Sequence, residues 1–185
     1  MIISSANIVQ RVIGRKNMAE MAQKISKTNH QELLDMLNIA FAEEWLAYYQ
    51  YWIGAYVAKG PMRPEITEEF NEHAEEELKH SKWLAERILQ LGGTPIIDPE
   101  EWKKHAVCKY EAPVDEYTVK LLEQNLTAEK CAIARYQKIC EMTEGKDYQT
   151  FHIARKILKE ELEHEQEIFD FIADIKTTAE RLGKN

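Results

Sequence analysis

The chain has 185 residues, of which 44% are hydrophobic and 30% are charged, and its formal net charge is −8. This composition excludes a disordered chain, and the acid excess argues against charge-driven DNA binding, because neutralising phosphates requires Lys and Arg. The longest uncharged run, residues 45–58, is shorter than the ~20 apolar residues that a membrane-spanning helix needs. The N-terminus lacks the charged segment of a signal peptide, so we expect a soluble, cytoplasmic protein.

The first 29 residues differ from the rest of the chain in charge. They contain five basic residues and one acidic residue, Glu20. The basic residues are Arg11, Arg15, Lys16, Lys24 and Lys27. We predict a partly helical or mobile N-terminal extension at residues 1–29, followed by one domain at residues 30–185.

Four long segments without proline follow this extension, at approximately residues 30–59, 65–91, 114–144 and 147–182. Each is rich in strong helix formers and carries apolar residues at helical spacing, such as Leu34, Leu37 and Phe41 in the first. Long amphipathic helices must bury their apolar stripes against one another. The segments therefore predict an all-α fold built on a four-helix bundle.

The connections between these segments are unequal in length. The first pair and the last pair are joined by a few residues, whereas residues 92–113 separate the second segment from the third. Short connections give antiparallel neighbours, and the long one lets the third helix run parallel to the second. Within it, Asp98 and Pro99 predict the start of a short helix. We therefore predict an antiparallel bundle with a long crossover between helices two and three.

The second and fourth segments both carry a Glu-x-x-His motif, Glu77 with His80 and Glu161 with His164. Residues i and i+3 lie on one face of a helix, so each motif offers an oxygen and a nitrogen to the same side. A single motif of this kind is weak evidence, because a Glu-rich helix forms it by chance on a solvated charged face.

The first and third segments share a different pattern, a Glu followed by Ala and Tyr at offsets 3 and 7. It comprises Glu44 and Tyr51 in the first segment, and Glu129 and Tyr136 in the third. Both glutamates lie among apolar residues, where a carboxylate is costly unless it is paired or binds a cation. The chain thus looks like two related helical hairpins, each with one lone Glu and one Glu-x-x-His.

Four glutamates and two histidines facing the interior predict a dinuclear metal site. Its ligands would be Glu44, Glu77, His80, Glu129, Glu161 and His164. Two divalent cations balance four carboxylates, and this donor set suits iron, with manganese or zinc as alternatives. We expect two iron ions per subunit. Glu43, Glu76 or Glu160 remains an alternative ligand to its neighbour, although each is rotated by about 100° around its helix.

The segments around these residues resemble the ferritin-like superfamily over approximately residues 33–175, and bacterioferritin most closely at the site. The resemblance is carried by Glu44-Trp-Leu-Ala-Tyr-Tyr-Gln-Tyr, by Glu75-Glu-Glu-Leu-Lys-His-Ser and by Glu160-Glu-Leu-Glu-His-Glu. It implies that Glu77 and Glu161 bridge the metals. It also implies terminal roles for Glu44, Glu129, His80 and His164, and hydrogen bonds to the site from Tyr51 and Tyr136.

The chain departs from bacterioferritin in two respects. The haem-binding Met of that family is replaced by Leu78, so we expect no haem. No helix break precedes Gly183, so we expect the fifth helix of the 24-subunit shells to be absent. Its absence favours the 12-subunit shell of the DNA-protection-during-starvation (Dps) proteins. Dps proteins build their site between subunits. An intrasubunit site on a Dps-type chain resembles the Dps-like proteins called thioferritins.

Thioferritins carry a cysteine pair beside the metal centre, and the resemblance assigns that role to Cys108 and Cys131. Such a pair would exchange electrons or hold the crossover on the bundle. The alternative is that each is a buried free cysteine, which behaves as a small hydrophobe. Cys140 lies on another side of its helix. His73, one turn before Glu77, belongs either beside the site or at the surface.

The resemblance implies a ferroxidase that oxidises Fe²⁺ with hydrogen peroxide or O₂ and stores ferric mineral in a hollow shell, in protection against oxidative stress. We expect self-assembly into a dodecamer, with no membrane partner and no DNA partner. One alternative is a di-manganese or mixed-metal peroxidase or catalase-like protein without a mineral core. Another is a DNA-compacting structural shell that uses the basic extension.

Overall fold

The computed structural model describes residues 20–183. Within this range the chain forms six α-helices: α1 (Glu20–Ile25), α2 (His30–Val57), α3 (Arg63–Gln90), α4 (Pro99–His105), α5 (Thr118–Thr143) and α6 (Tyr148–Leu182). The four long helices begin and end within a few residues of the predicted segments, so the all-α prediction is confirmed. Most of the predicted N-terminal extension, residues 1–19, lies outside the described residues.

Polar side chains define where several helices begin. Asp98 accepts a hydrogen bond from the backbone N–H of Glu100, with Pro99 at the first helical position, so the short helix predicted in the crossover is present as α4. Asp147 accepts from the backbone N–H of Thr150 at the start of α6. Such caps satisfy N–H groups that the first turn of a helix leaves unpaired.

Two backbone hydrogen bonds determine the direction of α5. Lys59, just after α2, donates its N–H to the carbonyl of Glu116 and accepts the N–H of Thr118. The end of α2 therefore lies beside the start of α5, so α5 runs antiparallel to α2 and parallel to α3, as the long crossover predicted. Gly60 makes this close approach possible, since its φ is +126° and a Cβ there would lie 2.8 Å from the Tyr117 ring.

The interior of the bundle has two apolar clusters with a polar layer between them. One cluster contains Leu37, Leu84, Ile139 and Ile157, and the other contains Phe70, Leu121, Ile168 and Ile172. Each long helix passes through one cluster, then the polar layer, then the other cluster. The two clusters shield the polar layer from water at both ends. Among the described helices, none has the length and apolar character needed to cross a membrane.

Candidate metal centre

The polar layer contains all six residues that the sequence pattern singled out. Glu44 comes from α2, Glu129 from α5, and the two Glu-x-x-His motifs come from α3 and α6. Each of the six is at most 3% exposed. The structure therefore brings four carboxylates and two imidazoles together in the centre of the bundle, inside one chain.

Four of these side chains converge on one point beside His80. The His80 Nδ1 atom lies 3.0 Å from Glu77 Oε2, 3.2 Å from Glu161 Oε1 and 3.3 Å from Glu44 Oε2. Metal–ligand bonds of about 2.1 Å place neighbouring ligand atoms roughly 3.0 Å apart in an octahedron and roughly 3.4 Å apart in a tetrahedron. The observed spacings fall in this range, so the four atoms suit the coordination of one cation.

A second, wider group surrounds His164. Its Nδ1 atom lies 3.5 Å from Glu77 Oε1, 3.7 Å from Glu161 Oε2 and 3.8 Å from Glu129 Oε2. Glu77 and Glu161 belong to both groups, and each turns one oxygen towards His80 and the other towards His164. This is the arrangement of carboxylates that bridge two cations.

Several buried polar atoms of this layer have no hydrogen-bond partner within the described chain. They are Glu129 Oε2, both carboxylate oxygens of Glu161 and His164 Nδ1. Burying an unpaired oxygen or nitrogen is unfavourable, and native proteins leave few such atoms. Cations bound among these atoms would satisfy them, so the residues present fit a pair of divalent metals.

The pKa values of the centre reflect burial and mutual contacts. Burial, reinforced by the charge of a bridging glutamate, raises the pKa of Glu44 and Glu129 well above the ordinary value. Burial acts in the same direction on Glu77, but the neighbouring imidazoles of His164 and His80 outweigh it and hold its pKa well below the usual range. A metal must therefore compete with protons at Glu44 and Glu129, so metal affinity falls as pH falls.

Two tyrosines link the hairpins to each other at this layer. The Tyr51 hydroxyl on α2 donates a hydrogen bond to Glu129 on α5, and the Tyr136 hydroxyl on α5 donates to Glu44 on α2. Burial raises the pKa of both phenols well above the ordinary value, so they remain neutral donors. Each hairpin thereby orients the lone glutamate of the other.

The outer nitrogens of the two histidines make a matching pair of contacts. His80 Nε2 lies 2.7 Å from Glu160 Oε2, and His164 Nε2 lies 2.8 Å from Glu76 Oε2. Lys79 connects the two carboxylates at 2.9 Å from Glu76 and 3.2 Å from Glu160. Glu76 and Glu160, left open as alternative ligands, thus orient the histidines instead, a role that sequence reasoning missed.

The third alternative ligand, Glu43, contacts the crossover. Its carboxylate accepts hydrogen bonds from Nε of Arg135 at 3.0 Å and from the backbone N–H groups of Val107 at 2.7 Å and Cys108 at 2.9 Å. Cys108 forms a disulfide with Cys131 of α5, with Cα atoms 5.6 Å apart, whereas Cys140 is free and buried. Glu43 and the disulfide together hold the crossover against the bundle.

A cavity of about 30 Å³ lies between the crossover and the centre. Its inner wall is formed by carboxylates of the centre, and Cys108 and Tyr110 contribute to its outer side. A space of this size holds one or two water molecules. It therefore has room for a very small molecule and not for a bulky one.

His73 is the member of the polar layer whose position the sequence left undecided. It is 2% exposed, and its ring stacks on His164 with centroids 4.0 Å apart. Its Nε2 atom lies 3.1 Å from Glu167 and 3.3 Å from Glu69. The surface interpretation of His73 is therefore wrong, because tight packing beside the centre buries the ring.

Comparisons with known proteins identify the family to which the chain belongs. The profile of the ferritin-like domain family matches residues 34–178. The chain is 37% identical over 136 residues to a DNA protection during starvation protein of Pyrococcus furiosus, covering 73% of this chain and 74% of that protein. It is 29% identical over 141 residues to a bacterial ferritin of Pseudomonas aeruginosa, covering 75% and 81% of the two chains.

Solved structures share the fold. A dodecameric thioferritin, the bacterioferritin-related protein from Bacteroides fragilis, superimposes with a TM-score of 0.83 at 45% identity, covering 96% of this chain and 98% of that chain. A Dps from Thermosynechococcus elongatus superimposes with a TM-score of 0.73 at 22% identity, covering 77% and 90%.

Proposed function

Because this chain belongs to the ferritin-like family, we propose that it is a ferroxidase that stores and detoxifies iron, acting on Fe²⁺ at a dinuclear centre within each subunit. The observation that carries the proposal is the division of the Glu77 and Glu161 oxygens between His80 and His164. Two equivalent bridging carboxylates hold two iron ions close enough to react with one oxidant molecule.

Iron is the substrate of this centre. Glu77 and Glu161 would be shared by the two ions, with Glu44 and His80 holding one ion and Glu129 and His164 holding the other. The four carboxylates balance the charge of two Fe²⁺ ions, which allows them to enter the buried layer. Each Fe²⁺ gives one electron. Hydrogen peroxide accepts these two electrons and two protons and leaves as two water molecules, so iron and peroxide are removed together.

The chain's other residues prepare this reaction. Tyr51 and Tyr136 orient the terminal glutamates, and Glu76 and Glu160 orient the histidines. The disulfide of Cys108 and Cys131 holds the crossover over the cavity. We propose that the oxidant enters through this cavity and that the disulfide exchanges electrons with the centre. The apolar clusters on either side limit the access of water.

Storage requires assembly into a hollow shell, and the outer face of α2 supports assembly. Tyr49, Trp52 and Tyr56 are 45%, 38% and 68% exposed and lie next to one another. An exposed aromatic patch of this kind marks a protein–protein contact. We propose that copies of this chain form a dodecamer, as the thioferritin from Bacteroides fragilis does, and that ferric mineral collects inside it.

The test is the rate of Fe²⁺ oxidation, measured with O₂ alone and with anaerobic hydrogen peroxide. The wild-type protein is compared with Glu77→Ala/Glu161→Ala and with a control, Glu72→Ala/Glu163→Ala, which changes two exposed glutamates on the same helices. We expect faster oxidation with peroxide than with O₂, loss of both rates in the first variant, and no loss in the control.

The ferroxidase proposal makes a prediction that the same experiment can contradict. A wild-type rate equal to that of Glu77→Ala/Glu161→Ala under both oxidants would overturn the ferroxidase proposal. Peroxide consumption by manganese-loaded protein, with no iron retained beyond two ions per subunit, would favour the manganese peroxidase instead.

A further inference from the structure

The two halves of the bundle are related by a sequence offset of 84 residues at the centre. This offset takes Glu76, Glu77 and His80 on α3 to Glu160, Glu161 and His164 on α6. The paired contacts of His80 with Glu160 and of His164 with Glu76 show that the correspondence holds in three dimensions. Positions at which α3 and α6 differ in residue type are therefore informative, because the helices are otherwise related at the centre.

The clearest departure is at three positions beside His164. The same offset relates His73, Glu69 and Glu167 to Ile157, Ile153 and Trp83, respectively. The apolar trio lies in or against one core cluster and closes the bundle beside His80. The positions that are apolar beside His80 are thus occupied by ionisable residues beside His164.

The polar trio has the geometry of a ligand set. His73 Nε2 lies 3.1 Å from a Glu167 oxygen and 3.3 Å from a Glu69 oxygen. These separations match neighbouring ligand atoms around an ion with bonds of about 2.1 Å. The three ligand atoms lie within 4.8 Å of one another. The His73 side chain is 3% exposed, whereas those of Glu69 and Glu167 are 20% and 51% exposed, so the group connects the buried layer with solvent.

The charges of this group also call for a cation. Glu69 and Glu167 approach the same imidazole nitrogen, and neither makes an ion pair with a Lys or Arg among the described residues. One imidazole N–H can serve only one oxygen well at a time. A divalent cation bound among these three side chains would balance the charge of both carboxylates, whereas a single proton on His73 would balance only one.

His73 connects this group to the dinuclear centre. Its ligand atoms also group with those of Glu129 and His164 within 4.8 Å. Its Nδ1 atom is buried and has no hydrogen-bond partner within the described chain. The half of the centre on this side has the wider spacing, 3.5–3.8 Å around His164 Nδ1.

We propose that Glu69, His73 and Glu167 form a third metal site, which binds a divalent first-row cation such as Fe²⁺ and passes ions between solvent and the His164 side of the dinuclear centre. The site has two oxygen ligands and one nitrogen ligand from the protein, so water completes the coordination and leaves readily. Metal exchange at the centre is therefore one-sided, since Ile153, Ile157 and Trp83 block the corresponding route beside His80. The transfer role rests on the proposed function; the binding site itself does not.

The test uses Co²⁺ as a redox-stable probe on the intact, assembled protein. Co²⁺ binding is followed by its absorption spectrum, and the ions are located by anomalous diffraction from soaked crystals. The variant is Glu69→Gln/Glu167→Gln, and the matched control is Glu72→Gln/Glu163→Gln, which removes two exposed charges from the same helices.

We expect three Co²⁺ ions per subunit in the wild type and in the control, with the weakest bound between Glu69, His73 and Glu167. The Glu69→Gln/Glu167→Gln variant should keep the two central ions and lose the third. It should also oxidise its first two Fe²⁺ ions with normal amplitude but refill the centre at least several-fold more slowly. Absence of an anomalous peak at the third site in the wild type, or an equal peak in this variant, would overturn the proposal.

A different result would contradict the proposed function. Without a functional dinuclear centre, the two central peaks or the oxidation of the first two Fe²⁺ ions would be absent, whatever happens at the third site. A third peak with no change in refilling rate would contradict the transfer role.

Discussion

The carboxylate of Glu43 accepts the backbone N–H of Cys108 at 2.9 Å, so the residue directly before a predicted metal ligand holds the crossover over the metal centre. The same carboxylate is paired with Arg135, whose side chain is 10% exposed. The ion pair of Glu43 and Arg135 thus anchors a segment of the crossover that has no regular secondary structure. This segment contains Cys108 of the disulfide and forms one wall of the cavity.

Glu43→Gln should loosen this loop. The substitution leaves the Arg135 charge without its partner in a mostly buried position, a change that typically destabilises a protein by about 3–5 kcal/mol. We expect a lower thermal unfolding midpoint and several-fold faster reduction of the Cys108–Cys131 disulfide by dithiothreitol. Thiol counting after denaturation gives the reduced fraction, starting from one free thiol, Cys140.

The control for this substitution is Glu123→Gln, which removes the exposed pair with Lys120. Exposed ion pairs contribute less than about 1 kcal/mol, so neither the midpoint nor the reduction rate should change noticeably. Equal reduction rates in the two variants would show that Glu43 does not restrain the loop.

Bridging and terminal glutamates should differ in metal stoichiometry. Glu77→Gln or Glu161→Gln takes a ligand from both positions, so each should weaken binding of both ions. Glu44→Gln and Glu129→Gln should each weaken binding of one ion, on the His80 side and the His164 side respectively. Calorimetric titration of each apo-protein with Co²⁺ measures how many ions it binds and how tightly. Loss of a single ion in Glu77→Gln would contradict a bridging role.

Glu76 and Glu160 should affect metal affinity without touching metal. Each accepts a hydrogen bond from the outer nitrogen of a histidine on the opposite helix. Partners of this kind fix the orientation of a ligating imidazole, and their loss typically lowers metal affinity 10–100-fold. We expect this range for Glu160→Gln and for Glu76→Gln in competition with a chelator. Glu163→Gln, whose exposed partner is Lys159, serves as the reference and should keep wild-type affinity.

Asp147 at the start of α6 and Arg87 on α3 form a buried pair. Arg87 is 1% exposed, and its Nη2 atom donates to both Asp147 carboxylate oxygens, at 2.9 and 2.8 Å. Asp147→Asn can keep the cap of α6 but leaves the buried guanidinium without a counter-charge. We expect a loss of about 3–5 kcal/mol of stability near neutral pH.

This loss should depend on pH in a defined direction. Burial would raise the pKa of Asp147, but hydrogen bonds from Thr150 and the Arg87 guanidinium outweigh it, so the pKa lies below its ordinary value. The pair therefore stabilises the fold fully above the unfolded-state pKa of ~3.9, and this contribution is lost as pH falls through the lower folded-state pKa. Thermal unfolding of both proteins, at matched concentration, should show a gap at pH 7 that narrows in acid. A gap that widens in acid would contradict the assignment.

Local features of the fold were predictable because they depend on nearby residues. The absence of proline from four long segments predicted the helices, and Asp98 with Pro99 predicted α4. The length of the crossover predicted that α5 runs parallel to α3, which the hydrogen bonds between Lys59 and its neighbours confirm. The spacing of the Glu-x-x-His motifs also singled out residues that the structure gathers in one buried layer.

Three pairs of adjacent glutamates show where sequence reasoning ends. In each of Glu43/Glu44, Glu76/Glu77 and Glu160/Glu161, one member faces the centre and the other holds a partner on a different element. The rotation of each helix about its own axis decides which of the two glutamates faces the centre. Packing of the apolar clusters sets this rotation, so it cannot be deduced from the neighbouring residues alone. The same packing buries His73 between His164 and two carboxylates, although its sequence context also suited a surface position.

The sequence by itself determined the helices, the two related hairpins and the set of residues able to bind metal, because helical periodicity acts over three to seven neighbouring residues. Only the tertiary structure decided the long-range contacts: Tyr51 with Glu129, His164 with Glu76, Glu43 with the crossover, and His73 with Glu167. The physical reason is that these contacts join residues 64 to 94 positions apart, and close packing of four helices sets their geometry.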